Sequence, residues 1–310
     1  MSSSPHPHSA STKEDNSSTW TNYSSSSSMP LSIDEGDTDL TSSSTPVYYD
    51  EATGTFYPTN GIRPMTPSYM RIASQEPVTL KTPQKLLVIL DLNGTLFYRS
   101  KNNKSNVTAR PHLTPFLDFL FANCRVMVWS SAQPHSVKTM LSFGFGDRIS
   151  KLDRVWSREH FHLPPSDYSK KVLTIKDLEF VWDEIKNENR AAGDPEMYEF
   201  EFDQTNTVLI DDSAAKVQLQ PHNGLALQDF DKDLASAGTD HELLKVRRYL
   251  EKLVYQQNVS AYIRLHPFDS NAPLDKDEAK EVKETKETEG DNAHGKELDD
   301  LARRLEKSTV

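Results

Sequence analysis

An aspartate and a glycine follow a short apolar run in the first third of the chain. Residues 86–90 are five consecutive aliphatic residues, Leu-Leu-Val-Ile-Leu, and Asp91 and Gly94 come after them. Such a run is typical of a buried parallel strand, and glycine permits a sharp turn with positive φ. Open α/β sheets bind ligands at the carboxyl ends of their strands. Asp91 is therefore a candidate nucleophile toward phosphorus, with N–H groups of the turn binding the phosphoryl oxygens. An aspartate that only ends a strand is the alternative.

Two later apolar runs also end on polar side chains that suit phosphate chemistry. The last of them, residues 207–212, ends on Asp211 and Asp212, and adjacent carboxylates repel each other unless a cation lies between them. Because hard oxygen ligands suit Mg²⁺, these two aspartates together with Asp91 predict a Mg²⁺ site. The other run ends on Ser130, whose hydroxyl can either bind a phosphoryl oxygen or cap the helix that follows.

Lys176 and two histidines are further candidates. Lys176 stands at the start of a predicted helix, against the usual charge preference at a helix N-terminus, so its position favours an anionic partner. His160 and His162 are two residues apart, and no cysteine accompanies them. Because this is not the i, i+4 spacing of metal ligands on a helix, we interpret both histidines as loop or surface residues.

A parallel sheet is needed to bring these side chains to one edge. The run at 125–130 is predicted as a strand and follows an amphipathic helix-like run at 113–121, so that strand, helix and strand form a right-handed parallel crossover. Ser130 then lies beside Asp91. Further patterns predict a helix over 134–143 ended by Gly144, a helix from 176 through 185, a strand at 224–227, and closing helices at 241–255 and 259–265.

Composition divides the 310 residues into three parts. Residues 1–78 are rich in Ser, Thr and Pro and bury too little apolar surface to offset the chain entropy lost on folding, so we expect disorder there. Residues 79–266 carry enough apolar material for one α/β domain, with an acidic, polar insertion at 187–205. Residues 267–310 form a charged tail that we expect to be partly helical or disordered.

Charge and cysteine content exclude several classes of protein. The net charge is −11 and the pI is about 5.4, which argues against a protein that binds nucleic acid or an anionic membrane. A single cysteine, Cys124, excludes an intramolecular disulfide and fits a reducing compartment. No apolar run is long enough to span a membrane, and the N-terminus resembles neither a secretion signal nor a mitochondrial presequence. We therefore expect a cytosolic or nuclear protein.

The order of these features resembles a known superfamily. A strand with Asp, a strand with Ser, a Lys and a strand with Asp-Asp are arranged as in the haloacid dehalogenase-like superfamily. Within it, the chain is similar to the NLI-interacting-factor and RNA polymerase II C-terminal-domain phosphatase homology domain. The resemblance covers about residues 84–266 and implies a Rossmann-like three-layer parallel sheet. The motifs that carry it are Asp91-Leu92-Asn93-Gly94-Thr95, Ser130, Ile175-Lys176-Asp177-Leu178 and Ile210-Asp211-Asp212-Ser213.

The resemblance also implies a reaction and a role for each motif. The reaction is Mg²⁺-dependent phosphoryl transfer through an aspartyl-phosphate, with Asp91 as the nucleophile and as a metal ligand. The backbone carbonyl of Asn93, Asp212 and Asp211 complete the metal set by this analogy. The residues that bind and neutralise the transferred phosphoryl group are Ser130, Lys176 and Thr95 of the nucleophile motif.

Asn93 departs from the pattern of active family members. They carry Asp at this position, where it protonates the leaving alcohol and later activates water, and a side-chain amide does neither. General acid–base catalysis contributes about 10²–10⁴-fold to a rate. The metal contact at this position uses the backbone, so we expect binding to survive the substitution. We interpret the chain as a fungal-type variant with Asn at the acid/base position.

Two hypotheses about function follow from Asn93. The first is a weak or specialised phosphatase of Ser/Thr phosphoproteins, in which another acid or a good leaving group compensates for Asn93. The second is a pseudo-phosphatase, a non-catalytic module that binds phosphorylated or extended peptides. A component resembling the receptor subunit of the mitochondrial inner-membrane protein translocase belongs to this second class. That assignment requires a presequence and a membrane anchor, neither of which the sequence pattern predicts.

Overall fold

A computed structural model describes residues 47–50, 55–58, 65–100, 106–192, 201–276, 278–280 and 282 of the chain. Short 3-10 helices lie at Gly146–Lys151, Arg158–Phe161, Ala214–Val217 and Pro221–Asn223. The strands and α-helices follow in the order β1 (Val47–Asp50), β2 (Thr55–Pro58), α1 (Pro67–Ala73), β3 (Leu87–Leu90), β4 (Phe97–Arg99), β5 (Val107–Ala109), α2 (Leu113–Asn123), β6 (Arg125–Trp129), α3 (Pro134–Gly144), β7 (Arg154–Trp156), α4 (Leu178–Ala192), β8 (Thr207–Asp211), β9 (Gly224–Ala226), α5 (Lys232–Ala237), α6 (Glu242–Leu253) and α7 (Val259–Leu265).

Five of the strands form a parallel sheet in the order β7-β6-β3-β8-β9. The first predicted strand, β3, is therefore the central one. Two antiparallel pairs, β1 with β2 and β4 with β5, lie outside this sheet. Within the described ranges, no helix is both long enough and apolar enough to cross a bilayer.

Alternate side chains of the central strand pack into two separate apolar layers, because successive residues of a strand point to opposite faces. Leu86, Val88 and Leu90 pack with the apolar faces of α2, α3, α6 and α7. Leu87 and Ile89 pack on the other side with residues of α4. The structure thus confirms the Rossmann-like three-layer sheet. Burial on both faces explains why this strand is a continuous apolar run rather than an alternating one.

The edge strand β7 has no counterpart among the elements predicted from the sequence. It has three residues, of which Val155 is exposed, and it is therefore too short to show a periodic pattern. Of the two histidines predicted as loop or surface residues, His162 is exposed just after the 3-10 helix Arg158–Phe161, whereas His160 lies in that helix. His160 stacks on the indole of Trp156 and its Nδ1 accepts a hydrogen bond from the backbone N–H of Ser157, while His162 contacts the ring of Phe180.

Residues 65–78 are folded against the domain, although composition predicts disorder for residues 1–78. Tyr69 of α1 is buried, and its hydroxyl donates to Asn223 Oδ1 (2.9 Å) and accepts from the backbone N–H of His222 (2.9 Å). Ala73 is also buried, and the carbonyls of Ile72 and Ala73 accept hydrogen bonds from Asn258 and Arg264, so several contacts dock this seven-residue helix. We therefore propose that the folded domain begins near residue 65. Residues 1–46, 51–54 and 59–64 lie outside the described part of the chain.

The predicted insertion and the charged tail are described only in part. Helix α4 continues to Ala192, so residues 187–192 of the predicted insertion are helical, and Phe202 packs into the core beyond it. In the tail, residues 276, 278–280 and 282 are helical. Asp275 and Glu278 cap this helix by exchanging two side-chain-to-backbone hydrogen bonds. Residues 193–200 and those after 282 lie outside the described residues.

Candidate active site

The carboxyl edge of the sheet brings the predicted site residues together. Leu90 pairs with Val128 of β6 and with Ile210 of β8, so the residues that follow these positions are adjacent. Asp91 follows β3, and its N–H donates to the carbonyl of Ile210 (2.9 Å). Asp211 ends β8, and Ser130 follows β6; all three site side chains are buried. The parallel register therefore places them at one edge, as the sequence predicts.

Three carboxylates form a cluster at this edge. Asp91, Asp211 and Asp212 each offer an oxygen, and these oxygens lie within 4.8 Å of one another. A compact set of carboxylate oxygens is the ligand chemistry that Mg²⁺ prefers. These residues therefore fit the divalent cation that the sequence predicts.

Lys176 lies within this acidic cluster and is completely buried. Its Nζ donates to Asp91 Oδ1 (3.0 Å) and to Asp211 Oδ2 (2.5 Å). The anionic partner that the sequence predicts for this lysine is, in this structure, the pair of carboxylates. Lys176 holds one oxygen of the candidate nucleophile in a fixed position.

A second lysine, Lys216, also lies in the cluster and was missed by the sequence analysis. Its Nζ is 2.8 Å from Asp211 Oδ1, 3.1 Å from Asp212 Oδ1 and 3.7 Å from Asp91 Oδ2. It lies on the 3-10 helix Ala214–Val217, and its backbone carbonyl accepts a hydrogen bond from the N–H of Lys176 (2.8 Å). The only sequence signal is its position four residues after Asp212, which is the spacing of an ion pair on a helix.

The turn after the nucleophile is shaped by glycine. Gly94 has a φ of 88°, and a Cβ at this position would lie 2.8 Å from both Asp212 Oδ2 and Asp229 Oδ1. A side chain is thus excluded both by backbone conformation and by space. Thr95, which is buried, donates from Oγ1 to Asp212 Oδ1 (3.3 Å). Asn93 is exposed at the surface of the turn.

Ser130 does not cap the following helix. The N-cap residue of α3 is Gln133, and the Ser130 hydroxyl accepts a 3.3 Å hydrogen bond from the N–H of Ala132 within its own loop. The helix-cap alternative for this serine is therefore wrong. The role of Ser130 in phosphate binding stays a prediction.

The charges of the cluster shift the pKa values of its members in opposite directions. Burial alone raises the pKa of Asp211, but the ammonium groups of Lys176 and Lys216 outweigh it and lower the pKa to about 2. Burial also raises the pKa of Asp212. The Lys216 ammonium group lowers this pKa, but the charges of Asp91 and Asp211 raise it, so that the pKa of Asp212 is about 6. Asp211 is therefore ionised at any physiological pH, whereas Asp212 titrates near neutrality.

Asp212→Asn is expected to stabilise the metal-free protein at pH 7.5. The folded pKa of Asp212 lies above the value of about 3.9 for an unfolded chain, so ionisation lowers stability as the pH rises from about 4 to about 6. Because asparagine does not ionise, the free energy of unfolding should exceed that of wild type by up to about 3 kcal/mol at pH 7.5, and the difference should disappear toward pH 4. Urea unfolding in the presence of a chelator at pH 7.5 and at pH 4 measures this difference.

The control for this prediction is Glu76→Gln, which removes an exposed carboxylate. It should change the free energy of unfolding equally little at both pH values. A stability of Asp212→Asn that is below wild type at pH 7.5 would contradict the electrostatic account.

Comparisons with known proteins relate this chain to a family of phosphatases. A family model described as NLI interacting factor-like phosphatase matches residues 86–260, more than half of the chain. An FCP1 homology domain-containing protein of Schizosaccharomyces pombe is 39% identical over 198 residues, which cover 60% of this chain and 79% of that protein. A ubiquitin-like domain-containing CTD phosphatase of Arabidopsis thaliana is 27% identical over 197 residues, 62% of this chain and 54% of that protein. The chain thus spans about half the length of this last relative.

Among solved structures, a variant of the fission yeast RNA polymerase II CTD phosphatase Fcp1 bound to beryllium fluoride is similar. It superimposes with a TM-score of 0.40 at 12% identity, covering 58% of this chain and 70% of that one.

Proposed function

Because the chain belongs to the NLI interacting factor-like phosphatase family, we propose that it is a slow, Mg²⁺-dependent phosphatase of phosphorylated Ser/Thr protein segments. The observation that carries the proposal is the position of Asp91. Its carboxylate lies at the end of the central strand, is held by the ammonium group of Lys176, and belongs to a three-carboxylate cluster. A carboxylate, a buried cation and a divalent metal site are the parts that phosphoryl transfer requires.

The reaction takes place in two steps at Asp91. A carboxylate oxygen attacks phosphorus, the bond from phosphorus to the Ser or Thr oxygen breaks, and the alcohol leaves with a proton taken from water. Water then attacks the aspartyl-phosphate, and inorganic phosphate leaves while the carboxylate is regenerated. Lys176 donates to Asp91 Oδ1 and so orients the attacking carboxylate. Ser130 and Thr95 would bind the phosphoryl oxygens.

The residues that would hold Mg²⁺ are Asp91, Asp211, Asp212 and the backbone carbonyl of Asn93. When bound there, the cation neutralises the charge that develops on the transferred phosphoryl group. Asp211, which stays ionised because of its two lysine neighbours, provides a constant negative charge for the cation.

Asn93 makes the proposed enzyme slow and selective for its leaving group. An exposed amide at this position neither protonates a departing alcohol nor deprotonates the incoming water. Phosphate esters whose alcohol leaves easily need less help from an acid. Aryl phosphates should therefore be better substrates than phosphoserine.

Hydrolysis of p-nitrophenyl phosphate tests the proposal. Wild type should turn over in the presence of Mg²⁺ and lose activity with a chelator. Asp91→Asn should reduce the rate by about 10³-fold or more, because it removes the nucleophile. Asp118→Asn makes the same chemical change on an exposed carboxylate of α2 that pairs with Arg148, and should leave the rate unchanged. Equal rates for wild type and Asp91→Asn would rule out the aspartyl-phosphate.

The amide at Asn93 also favours a second candidate function, a module that binds phosphorylated or extended peptides without turnover. It predicts no hydrolysis of p-nitrophenyl phosphate by wild type, together with saturable binding of a phosphopeptide that Lys176→Met weakens. Either function agrees with a cytosolic or nuclear location. Burial of the lone Cys124 thiol, which raises its pKa to about 12, fits such a reducing environment.

A further inference from the structure

Four of the six carboxylate oxygens of the acidic cluster accept hydrogen bonds from the two lysines. Asp211 accepts hydrogen bonds from Lys176 at Oδ2 and from Lys216 at Oδ1, and Asp212 accepts one from Lys216 at Oδ1. Asp91 accepts a hydrogen bond from Lys176 at Oδ1, and its Oδ2 lies 3.7 Å from Lys216 Nζ. Lys216 is thus the one group among the described residues that contacts all three carboxylates.

A Mg²⁺ ion and the Lys216 ammonium group compete for the same oxygens. Mg²⁺ takes oxygen ligands at about 2.0–2.1 Å in a nearly octahedral arrangement. A cation bound by the three carboxylates would use oxygens that lie 2.8–3.7 Å from Lys216 Nζ. The two positive charges would then be a few ångströms apart in a partly buried site, where their repulsion is only weakly screened.

The structure indicates which lysine can give way. The Lys176 side chain is 0% exposed, whereas that of Lys216 is 14% exposed and projects from a single 3-10 turn at the sheet edge. A flexible four-carbon side chain next to solvent can rotate outward, but a fully enclosed one has no space to do so. Lys176 therefore stays with Asp91 and Asp211, and Lys216 is the mobile cation.

We propose that Lys216 is an internal counter-ion of the carboxylate cluster, which Mg²⁺ must displace in order to bind. The proposal rests on the metal site of the proposed function. It makes Lys216 the residue that sets the metal affinity of this chain.

Displacement would also change the charge that a phosphate group encounters. Three carboxylates and two ammonium groups leave one net negative charge, which repels a phosphate dianion. Exchange of Lys216 for Mg²⁺ makes the cluster neutral and frees the Lys216 ammonium group for an anionic partner. Metal binding would therefore precede phosphate binding.

The first test measures binding of Mg²⁺ and Mn²⁺ alone to the full chain by calorimetry. Lys216→Met should bind both ions about tenfold more tightly than wild type or better, because the competing cation is gone. Lys216→Arg keeps the charge and should bind within about threefold of wild type. The matched control is Lys186→Met, which removes an exposed lysine that pairs with Glu201 at 3.4 Å, and it should bind as wild type does.

Metal binding by Lys216→Met that is unchanged or weaker than in wild type would overturn the proposal. An absence of metal binding in both wild type and Lys216→Met would also overturn it. These outcomes are independent of turnover. If wild type fails to hydrolyse phosphate esters while Lys216→Met still binds Mg²⁺ more tightly, the proposed function fails and the role of Lys216 stands.

A second test needs only wild-type protein and applies even if Lys216→Met does not fold. Brief acetylation of amines, followed by peptide mass spectrometry, reports which lysines are free of ion pairs. Saturating Mg²⁺ should increase acetylation of Lys216 severalfold and leave Lys176 unmodified. Equal acetylation of Lys216 with and without Mg²⁺ would show that the ion does not displace it.

Discussion

Asn93→Asp is expected to raise the turnover of a phosphoserine peptide by about 10²–10⁴-fold. The residue lies on the turn two positions after the nucleophile and is exposed, so the new carboxyl group would be solvated and free to exchange protons. It would donate a proton to the departing serine oxygen and accept one from the attacking water.

The gain should depend on the leaving group. With p-nitrophenyl phosphate we expect about tenfold, because a nitrophenolate leaves with little help from an acid. Asn271→Asp, the same change at an exposed position in the tail, is the control and should alter neither rate. Steady-state kinetics with both substrates gives the comparison. No gain with the peptide would mean that Asn93 does not face the leaving group, and would favour the peptide-binding module.

Asp240→Ala is expected to lower the free energy of unfolding by about 3–5 kcal/mol. Its carboxylate accepts hydrogen bonds from Nε (3.0 Å) and Nη2 (2.8 Å) of Arg110, and both side chains are almost fully buried. Alanine would leave the guanidinium buried without its counter-ion. The guanidinium also donates to the carbonyls of Thr95 and Gln228. If Arg110 moved, the turn after Asp91 that contains Thr95 would therefore become less rigid.

A surface ion pair provides the matched control. Asp118 bonds Arg148, but its side chain is 59% exposed, and pairs of this kind contribute about 0–1 kcal/mol. Urea unfolding of Asp240→Ala and Asp118→Ala beside wild type measures both. Equal effects of the two substitutions would contradict the account, since it assigns the larger loss to the buried ion pair.

The sequence by itself determined the parallel sheet and the edge at which its polar residues meet. The apolar runs that became β3, β6 and β8 have the continuous hydrophobicity of strands buried on both faces. The polar residues directly after them must then meet, because parallel strands end at the same edge. Asp91, Ser130 and Asp211 were therefore placed correctly, as was Lys176, whose position at the start of a helix required an anion nearby.

Only the tertiary structure decided the features that depend on contacts between distant, irregular segments. The three-residue strand β7 and the short helix α1 carry too few residues to show a period, and they are held by partners elsewhere in the chain. Gly144 is predicted as the C′ residue that follows its helix, but it is the last residue of α3, where a Cβ would overlap the ring of Phe97.

Lys216 is the clearest case. The i, i+4 spacing from Asp212 is the only local signal for this lysine, and surface ion pairs share that spacing. Its role arises because the sheet brings three carboxylates within reach of its side chain. The spacing of apolar residues is a local property that can be read from the sequence. The arrangement of charges at the sheet edge, in contrast, exists only once the chain has folded.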